Sequence, residues 1–179
     1  AALAAGATGF THLYNAMSPL TSREPGVVGA ALADPHSWCG VILDGLHVHP
    51  LAVKVALAAK PRGKLLIVTD AMSPVGTIQT EFDFFDGKVI RDGNKLTNLN
   101  GNLAGSVLDM ASAVSYAVKE LGLELSEAVR MASLYPAEFL GISAERGQIK
   151  VGAKADLVLL NDNGLVQQCW LAGYPFIEQ

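Results

Sequence analysis

Lys64-Leu65-Leu66-Ile67-Val68-Thr69-Asp70 carries an apolar core that runs unbroken instead of alternating, and it ends on a carboxylate. An unbroken apolar run of this length suits a strand buried on both faces, as in a parallel sheet. Two runs of the same kind stand upstream: Trp38-Cys39-Gly40-Val41-Ile42-Leu43-Asp44 and Gly9-Phe10-Thr11-His12-Leu13-Tyr14. Between the second and third lies Pro50-Leu51-Ala52-Val53-Lys54-Val55-Ala56-Leu57-Ala58-Ala59-Lys60, helical in composition, with Pro near its start and Lys near its end. Strand, helix, strand is a βαβ unit with a right-handed crossover. His12, Asp44 and Asp70 are the polar residues that close the three strands. In a (β/α)₈ barrel the C-terminal strand ends carry the chemistry, and three strands do not close a barrel. The expected class is α/β, the C-terminal part of a (β/α)₈ TIM-like barrel.

Downstream the texture changes. Phe82 to Gly93 holds two Asp-Gly turns around short alternating runs, a hairpin signature. The Gly- and Asn-rich stretch from Asn98 to Ser106 reads as a loop. Helices are expected over Val107 to Leu121, over Ser126 to Ser133 with Ser126 opening the second, and over Pro136 to Leu140 with Gly141 as the stop. The tail reads as two short strands, Gly147 to Val151 and Ala155 to Asn161, joined by a Gly-Ala-Lys turn, then a strand from Val166 to Leu171 before Gly173-Tyr174-Pro175. At the other end, Ala1 to Ala5 reads as the last turns of a helix stopped by Gly6. With no initiator Met and no capping residue before it, the chain is expected to begin inside a larger structure.

Half of the 179 residues are hydrophobic, and the net charge is −4 from 13 basic and 17 acidic residues. That balance argues against a nucleic-acid or anionic-membrane partner, and an anionic ligand would need a local cationic site. Cys39 and Cys169 lie far apart in apolar stretches and match no CxxC motif. They read as reduced core thiols of a cytoplasmic protein. No stretch approaches the ~20 apolar residues of a membrane span.

Several residues can carry chemistry. His12 at a strand end, with Asn15 in the following loop, can present a metal-binding nitrogen beside an amide; the alternative is a core imidazole bonded to a carbonyl. Asp44-Gly45-Leu46-His47-Val48-His49 offers two imidazoles at i and i+2 on one extended face. They could ligate metal, bind substrate, or belong to a loop that enters a helix with Asp44 bonded to local backbone. Asp70 is a candidate general base for a bound water, or a turn cap. Arg23, in Arg23-Glu24-Pro25-Gly26, could clamp a phosphate or be a solvated charge. Leu103-Ala104-Gly105-Ser106 before a helix offers backbone N–H groups to an oxygen.

Taken in this order, Thr11-His12-Leu13-Tyr14-Asn15-Ala16-Met17, Arg23-Glu24-Pro25-Gly26, Asp44-Gly45-Leu46-His47, Val68-Thr69-Asp70-Ala71 and Leu103-Ala104-Gly105-Ser106 resemble the amidohydrolase superfamily, and within it the N-acetylglucosamine-6-phosphate deacetylases. Gly147, Ile149, Gly152, Ala155, Asp156 and Leu157 add a pattern shared broadly across amidohydrolases. The resemblance runs through nearly the whole chain. It implies hydrolysis of the acetamide of N-acetylglucosamine 6-phosphate to glucosamine 6-phosphate and acetate. The implied roles are His12 as metal ligand, Asn15 and Ala16 as substrate contacts, and Arg23 as the phosphate contact. Asp44, Gly45, Leu46 and His47 would line the sugar site, Asp70 would accept and donate the proton, and Leu103, Ala104 and Gly105 would close over the substrate. The implied cofactor is a divalent metal, zinc first, with iron or manganese as alternatives. The implied assembly is a cytoplasmic homo-oligomer, a dimer or tetramer. Residues 1–145 would belong to the barrel and 146–179 to the small β-sandwich domain.

The family's other metal ligands, a Glu and a second His from earlier strands, have no counterpart here. The expectation is therefore weak metal binding and no useful activity from this polypeptide alone. Two rivals stand beside this reading: another amidohydrolase, of adenine deaminase or dihydroorotase type, and a non-catalytic sugar-phosphate-binding module.

Overall fold

In the computed structural model, which describes residues 1–85 and 87–176, the apolar runs pair side by side. β1 (Gly9–Phe10), β2 (Trp38–Ile42) and β3 (Leu65–Val68) form a parallel sheet in the order β1-β2-β3. Phe10 pairs with Cys39, and Val41 with Ile67. Val41 is fully buried and Ile67 nearly so, each contributing roughly 1.5–3 kcal/mol relative to exposure. α1 (Gly26–Ala33) and α2 (Pro50–Ala59) are the crossovers. This is an arc of a (β/α)₈ barrel, as expected. The first strand is shorter than its apolar run, because the chain leaves the sheet after Phe10 and reaches His12 in a turn.

α1 begins at Gly26 with φ +62°, where a Cβ would stand 2.5 Å from the carbonyl oxygens of Ser18 and Pro19. Only glycine fits there. Ser18 Oγ accepts the Val27 N–H at 2.8 Å and so occupies one of the helix's orphan donors. Lys60, expected to serve the end of its own helix, turns instead to the end of α1. Its buried Nζ donates to the carbonyls of Ala31 and Asp34, at 3.0 and 2.5 Å, and to Ser37 Oγ. Three oxygens compensate for the desolvated ammonium, whose pKa burial still pushes down.

β4 (Glu81–Phe84), β5 (Gly87–Asp92), β6 (Lys95–Asn98) and β7 (Leu103–Ser106) make an antiparallel meander in sequence order. The hairpins fall where the Asp-Gly pairs stood; Asp86 lies outside the described residues. The expected loop from Asn98 to Ser106 is half wrong: its turn is at 99–101, and its second half is β7. Beyond the meander, Ser106 pairs in parallel with Ala71, its N–H donating to the Asp70 carbonyl while its own carbonyl accepts the Met72 N–H, both at 2.9 Å. The end of β7 thus extends the parallel array past β3.

α3 (Met110–Lys119) starts three residues later than expected, since Val107 and Leu108 leave β7 extended and Asp109 is the cap, accepting from the Ser112 N–H at 2.8 Å. α4 (Leu125–Ala132) begins one residue before Ser126, with Glu124 at the cap position, and α5 (Leu134–Phe139) begins two residues before Pro136. All three helices pack on β3. β8 (Leu157–Leu160), β9 (Val166–Leu171) and β10 (Tyr174–Pro175) form a separate antiparallel sheet. The strand expected over Gly147 to Val151 does not form. Gly147 (φ +85°) passes so close to α5 that a Cβ would meet the Ala137 side chain at 2.8 Å and the Ser133 carbonyl at 2.9 Å. Leu3–Ala5 is one 3₁₀ turn closed by Gly6. Both cysteines are free thiols, Cys39 buried and Cys169 half-buried.

Candidate active site

Backbone strain gathers at the C-terminal ends of the parallel strands. Among the described residues, His12, Tyr14, Ala16 and Asp70 are four of the six non-glycine residues with positive φ, at 35°, 78°, 50° and 52°. Such conformations cost of order 1–3 kcal/mol each and persist where packing over-determines them, which is characteristic of functional sites. Here the packing is visible: Leu13, between two of these residues, is fully buried, and its N–H donates to the Gly40 carbonyl at 2.7 Å.

Asp70 follows β3 and lies exposed on the wall of a cleft of about 500 Å³. Met72 lines the same cleft, as do Phe82, Asp83 and Phe84 of β4 and Ala104 and Gly105 of β7. Gly105 has φ +70°, and a Cβ there would lie 2.7 Å from Met72 Cγ and 3.0 Å from the Asp70 carbonyl oxygen. The close approach of β7 to Asp70 therefore requires glycine. Ser106, fully buried, locks the junction: its Oγ donates to the Thr69 carbonyl at 2.6 Å and accepts the Leu108 N–H at 3.0 Å.

His47 approaches from the loop after β2. Its side chain is 3 % exposed, and that of Asp44 is 8 % exposed. Asp44 Oδ1 accepts the N–H groups of Leu46 and His47, both at 2.9 Å, and Asp44 Oδ2 lies 2.6 Å from His47 Nδ1. Gly45 makes this loop's turn at φ +75°, with the Tyr116 ring 3.1 Å from where a Cβ would stand. Burial pushes the Asp44 carboxyl up, but the hydrogen bonds from His47 and Leu46 outweigh it, and the net shift is downward. For His47 the hydrogen bond to Asp44 is the largest influence and raises its pKa against burial, with the charges of Asp44 and Asp70 adding to it. His47 Nε2 is buried without a hydrogen-bond partner, and the nearby Gly105 backbone also raises the ring's pKa.

The structure thus brings Asp70, Ala104 and Gly105 to one cleft with His47 close enough to feel the charge of Asp70. His12, Asn15, Ala16 and Leu103 do not line that cleft, and Arg23 sits exposed in the loop before α1. Leu46 is exposed, and the carboxylate of Asp44, expected to line a sugar site, is committed to its own loop. His49 caps α2, its Nδ1 accepting the Leu51 N–H at 3.2 Å, which takes one nitrogen from any pairing with His47. Met72, Phe82, Asp83 and Phe84 were not foreseen; the apolar-aspartate alternation of β4 signals a hairpin and says nothing of where it docks.

His12 suits one ligand position on a metal. Its Nδ1 is 2.9 Å from the Asn15 carbonyl oxygen, which leaves Nε2 as the available nitrogen. Among the described residues, no group of three or more His, Cys, Asp or Glu side chains is placed to hold a metal ion. The described residues therefore do not make a metal centre by themselves.

Residues 4–174 match the family described as Amidohydrolase family. An N-acetylgalactosamine-6-phosphate deacetylase of Shewanella sp. (strain ANA-3) is 58 % identical over 96 % of this chain and 43 % of its own length. An N-acetylglucosamine-6-phosphate deacetylase of Vibrio furnissii is 37 % identical over 97 % of this chain and 43 % of its own. The crystal structure of N-acetylglucosamine-6-phosphate deacetylase from Pasteurella multocida superposes with a TM-score of 0.94 at 36 % identity, over 99 % of this chain and 46 % of that one. The chain thus spans less than half the length of these three relatives.

Proposed function

Because this chain belongs to the amidohydrolase family, we propose that it carries the proton-transfer and substrate-closing part of a deacetylase for N-acetylhexosamine 6-phosphates. The reaction is hydrolysis of the acetamide of N-acetylglucosamine 6-phosphate, or of its C4 epimer, to the free amino sugar phosphate and acetate. The observation that carries this reading is Asp70, held at φ +52° on the cleft wall, together with the buried Nε2 of His47, which lacks a hydrogen-bond partner.

Asp70 takes a proton from the attacking water and returns it to the leaving nitrogen. His47, the principal polar contact of the sugar site, presents Nε2 to the acetamide. Asn15 and Ala16 contact the sugar, Arg23 its phosphate, and Leu103, Ala104 and Gly105 close the site. His12 contributes one ligand to a divalent metal, zinc in first place, a group that lowers the pKa of bound water. We place the boundary between the barrel part and the small β domain at residues 145 and 146; residues 177–179 lie outside the described range. The protein's setting in this proposal is the cytoplasm, as a homo-oligomer with no nucleic-acid or membrane partner. No helix among the described residues is long and apolar enough to cross a membrane.

The test is amino sugar 6-phosphate release by the full-length gene product, measured with both epimers. Asp70→Asn lowers kcat by several orders of magnitude and leaves ligand binding nearly intact. A variant that keeps a tenth of the activity removes Asp70 from the mechanism. Arg23→Met damages use of the 6-phosphorylated sugar far more than that of the unphosphorylated one. Equal loss on both points to an amidohydrolase with another substrate.

A further inference from the structure

The carboxylate of Asp44 is engaged mainly within its own loop. Two backbone N–H groups and one imidazole nitrogen occupy its two oxygens, and its side chain is 8 % exposed. An ionised carboxylate only accepts hydrogen bonds, so a contact of 2.6 Å to His47 Nδ1 places the proton on that nitrogen. His47 is then left with one free position, Nε2, which is buried and lacks a hydrogen-bond partner, while the charge of Asp70 reaches the ring. An unpaired buried polar atom of this kind costs roughly 1–3 kcal/mol. That cost is removed when a ligand's polar group arrives.

We propose that Asp44 is a positioning residue: it fixes His47 as the Nδ1–H form, so that Nε2 alone, as a hydrogen-bond acceptor, faces the N–H of the substrate's acetamide. The proposal rests on the deacetylase reading for the identity of that substrate group, and on the geometry alone for the tautomer. The Asp44 loop holds the ring in two ways at once. Oδ1 shapes the backbone turn that carries His47, and Oδ2 sets the ring's rotation and its proton. Gly45, pressed against Tyr116, leaves this turn little room to move.

Asp44→Asn separates these two functions. Its amide oxygen still accepts the Leu46 and His47 N–H groups, so the loop persists. Its amide nitrogen now faces Nδ1 as a donor and drives the imidazole to the Nε2–H form. The tautomer is read from the ¹⁵N resonances of His47 in the labelled wild-type protein and in the variant, without need of turnover. The expected result is Nδ1–H in the wild type and Nε2–H in the variant. With it, kcat falls by about 10–100-fold, the usual range for a residue that orients another, while KM changes little. An Nε2–H form in the wild type, or a variant with the wild-type tautomer, overturns the proposal, and so does a switched tautomer with unchanged kcat. Absence of deacetylation in the wild type itself would sink the functional reading and leave the tautomer result standing.

Discussion

Ser106 Oγ donates to the Thr69 carbonyl at 2.6 Å, across 37 positions of sequence, and so fastens the end of β7 to the residue that precedes Asp70. The same oxygen accepts the Leu108 N–H, which directs the chain into α3. Ser106→Ala removes both bonds in a fully buried place and leaves a carbonyl and an N–H unsatisfied. The expected loss is about 2 kcal/mol in urea unfolding, because each stranded group costs on the order of 1–3 kcal/mol and local water partly relieves it. Activity of the full-length protein falls as well, since Asp70 loses the anchor beside it. A variant as stable as the wild type removes this junction from the account.

Gly105→Ala tests the close approach on the other side of Asp70. The new methyl meets Met72, which can swing aside, and the Asp70 carbonyl, which cannot. The left-handed φ of +70° adds its own penalty for any residue with a side chain. A destabilisation of about 1–3 kcal/mol is expected, with a drop in kcat larger than the stability change explains. Met72→Ala in the same chain recovers only part of the loss, because the backbone contact remains. Full recovery would assign the whole effect to Met72.

The parallel core was legible because continuous apolar runs such as Leu65 to Val68 have one physical outlet, burial on both faces. α2 was legible from Pro50 and its alanines. β7 was not, because Leu103-Ala104-Gly105-Ser106 has the composition of a turn, and its partners at Thr69 to Met72 are remote in sequence. Glycine at 105 reads locally as flexibility, whereas the structure uses it for clearance. The strand-end positions of His12 and Asp70 were visible as polar residues that close apolar runs. The spacing of Asp44 and His47 announced a polar pair, yet only coordinates reveal that both oxygens of Asp44 are spent inside its loop. The docking of Phe82, Asp83 and Phe84 beside Asp70 depends on tertiary contacts that no local pattern encodes.

Near the N-terminal end of β3, Glu127 of α4 gathers four donors. Arg62 Nε and Nη2, Arg130 Nη1 and the Tyr135 hydroxyl all point to its carboxylate, the last at 2.6 Å. The hydrogen bond from Arg62 is the largest influence and outweighs burial, which opposes it, with Tyr135 assisting; the carboxyl is held at about 2, against an ordinary value of 4.5. A carboxyl depressed in the folded state contributes stability that is complete above 4.5 and is lost as pH falls through about 2. Glu127→Gln is therefore less stable than the wild type at pH 7, and the gap between their urea midpoints closes between pH 4.5 and 2. The Arg62 side chain is 70 % exposed, so added salt narrows the same gap at neutral pH. A gap independent of both pH and salt would show that Glu127 acts by packing and not by charge.

Metal affinity tests the donor set directly. With Nδ1 of His12 facing the Asn15 carbonyl, one nitrogen remains, and no group of three or more His, Cys, Asp or Glu side chains stands ready to hold a metal among the described residues. Protein zinc sites draw on three or four ligands. The 179-residue chain by itself is expected to bind zinc no more tightly than about 1 μM, the affinity that corresponds to roughly −8 kcal/mol. His12→Ala should weaken that residual binding further, while His49→Ala, which removes only a helix cap, should leave it unchanged. Isothermal titration of the wild type and both variants decides the matter. Nanomolar binding by the wild type would mean that the chain assembles a centre the described residues do not show, through rearrangement or through association of several copies. A loss on His49→Ala equal to that on His12→Ala would return the pairing of His47 and His49 to consideration as a ligand set.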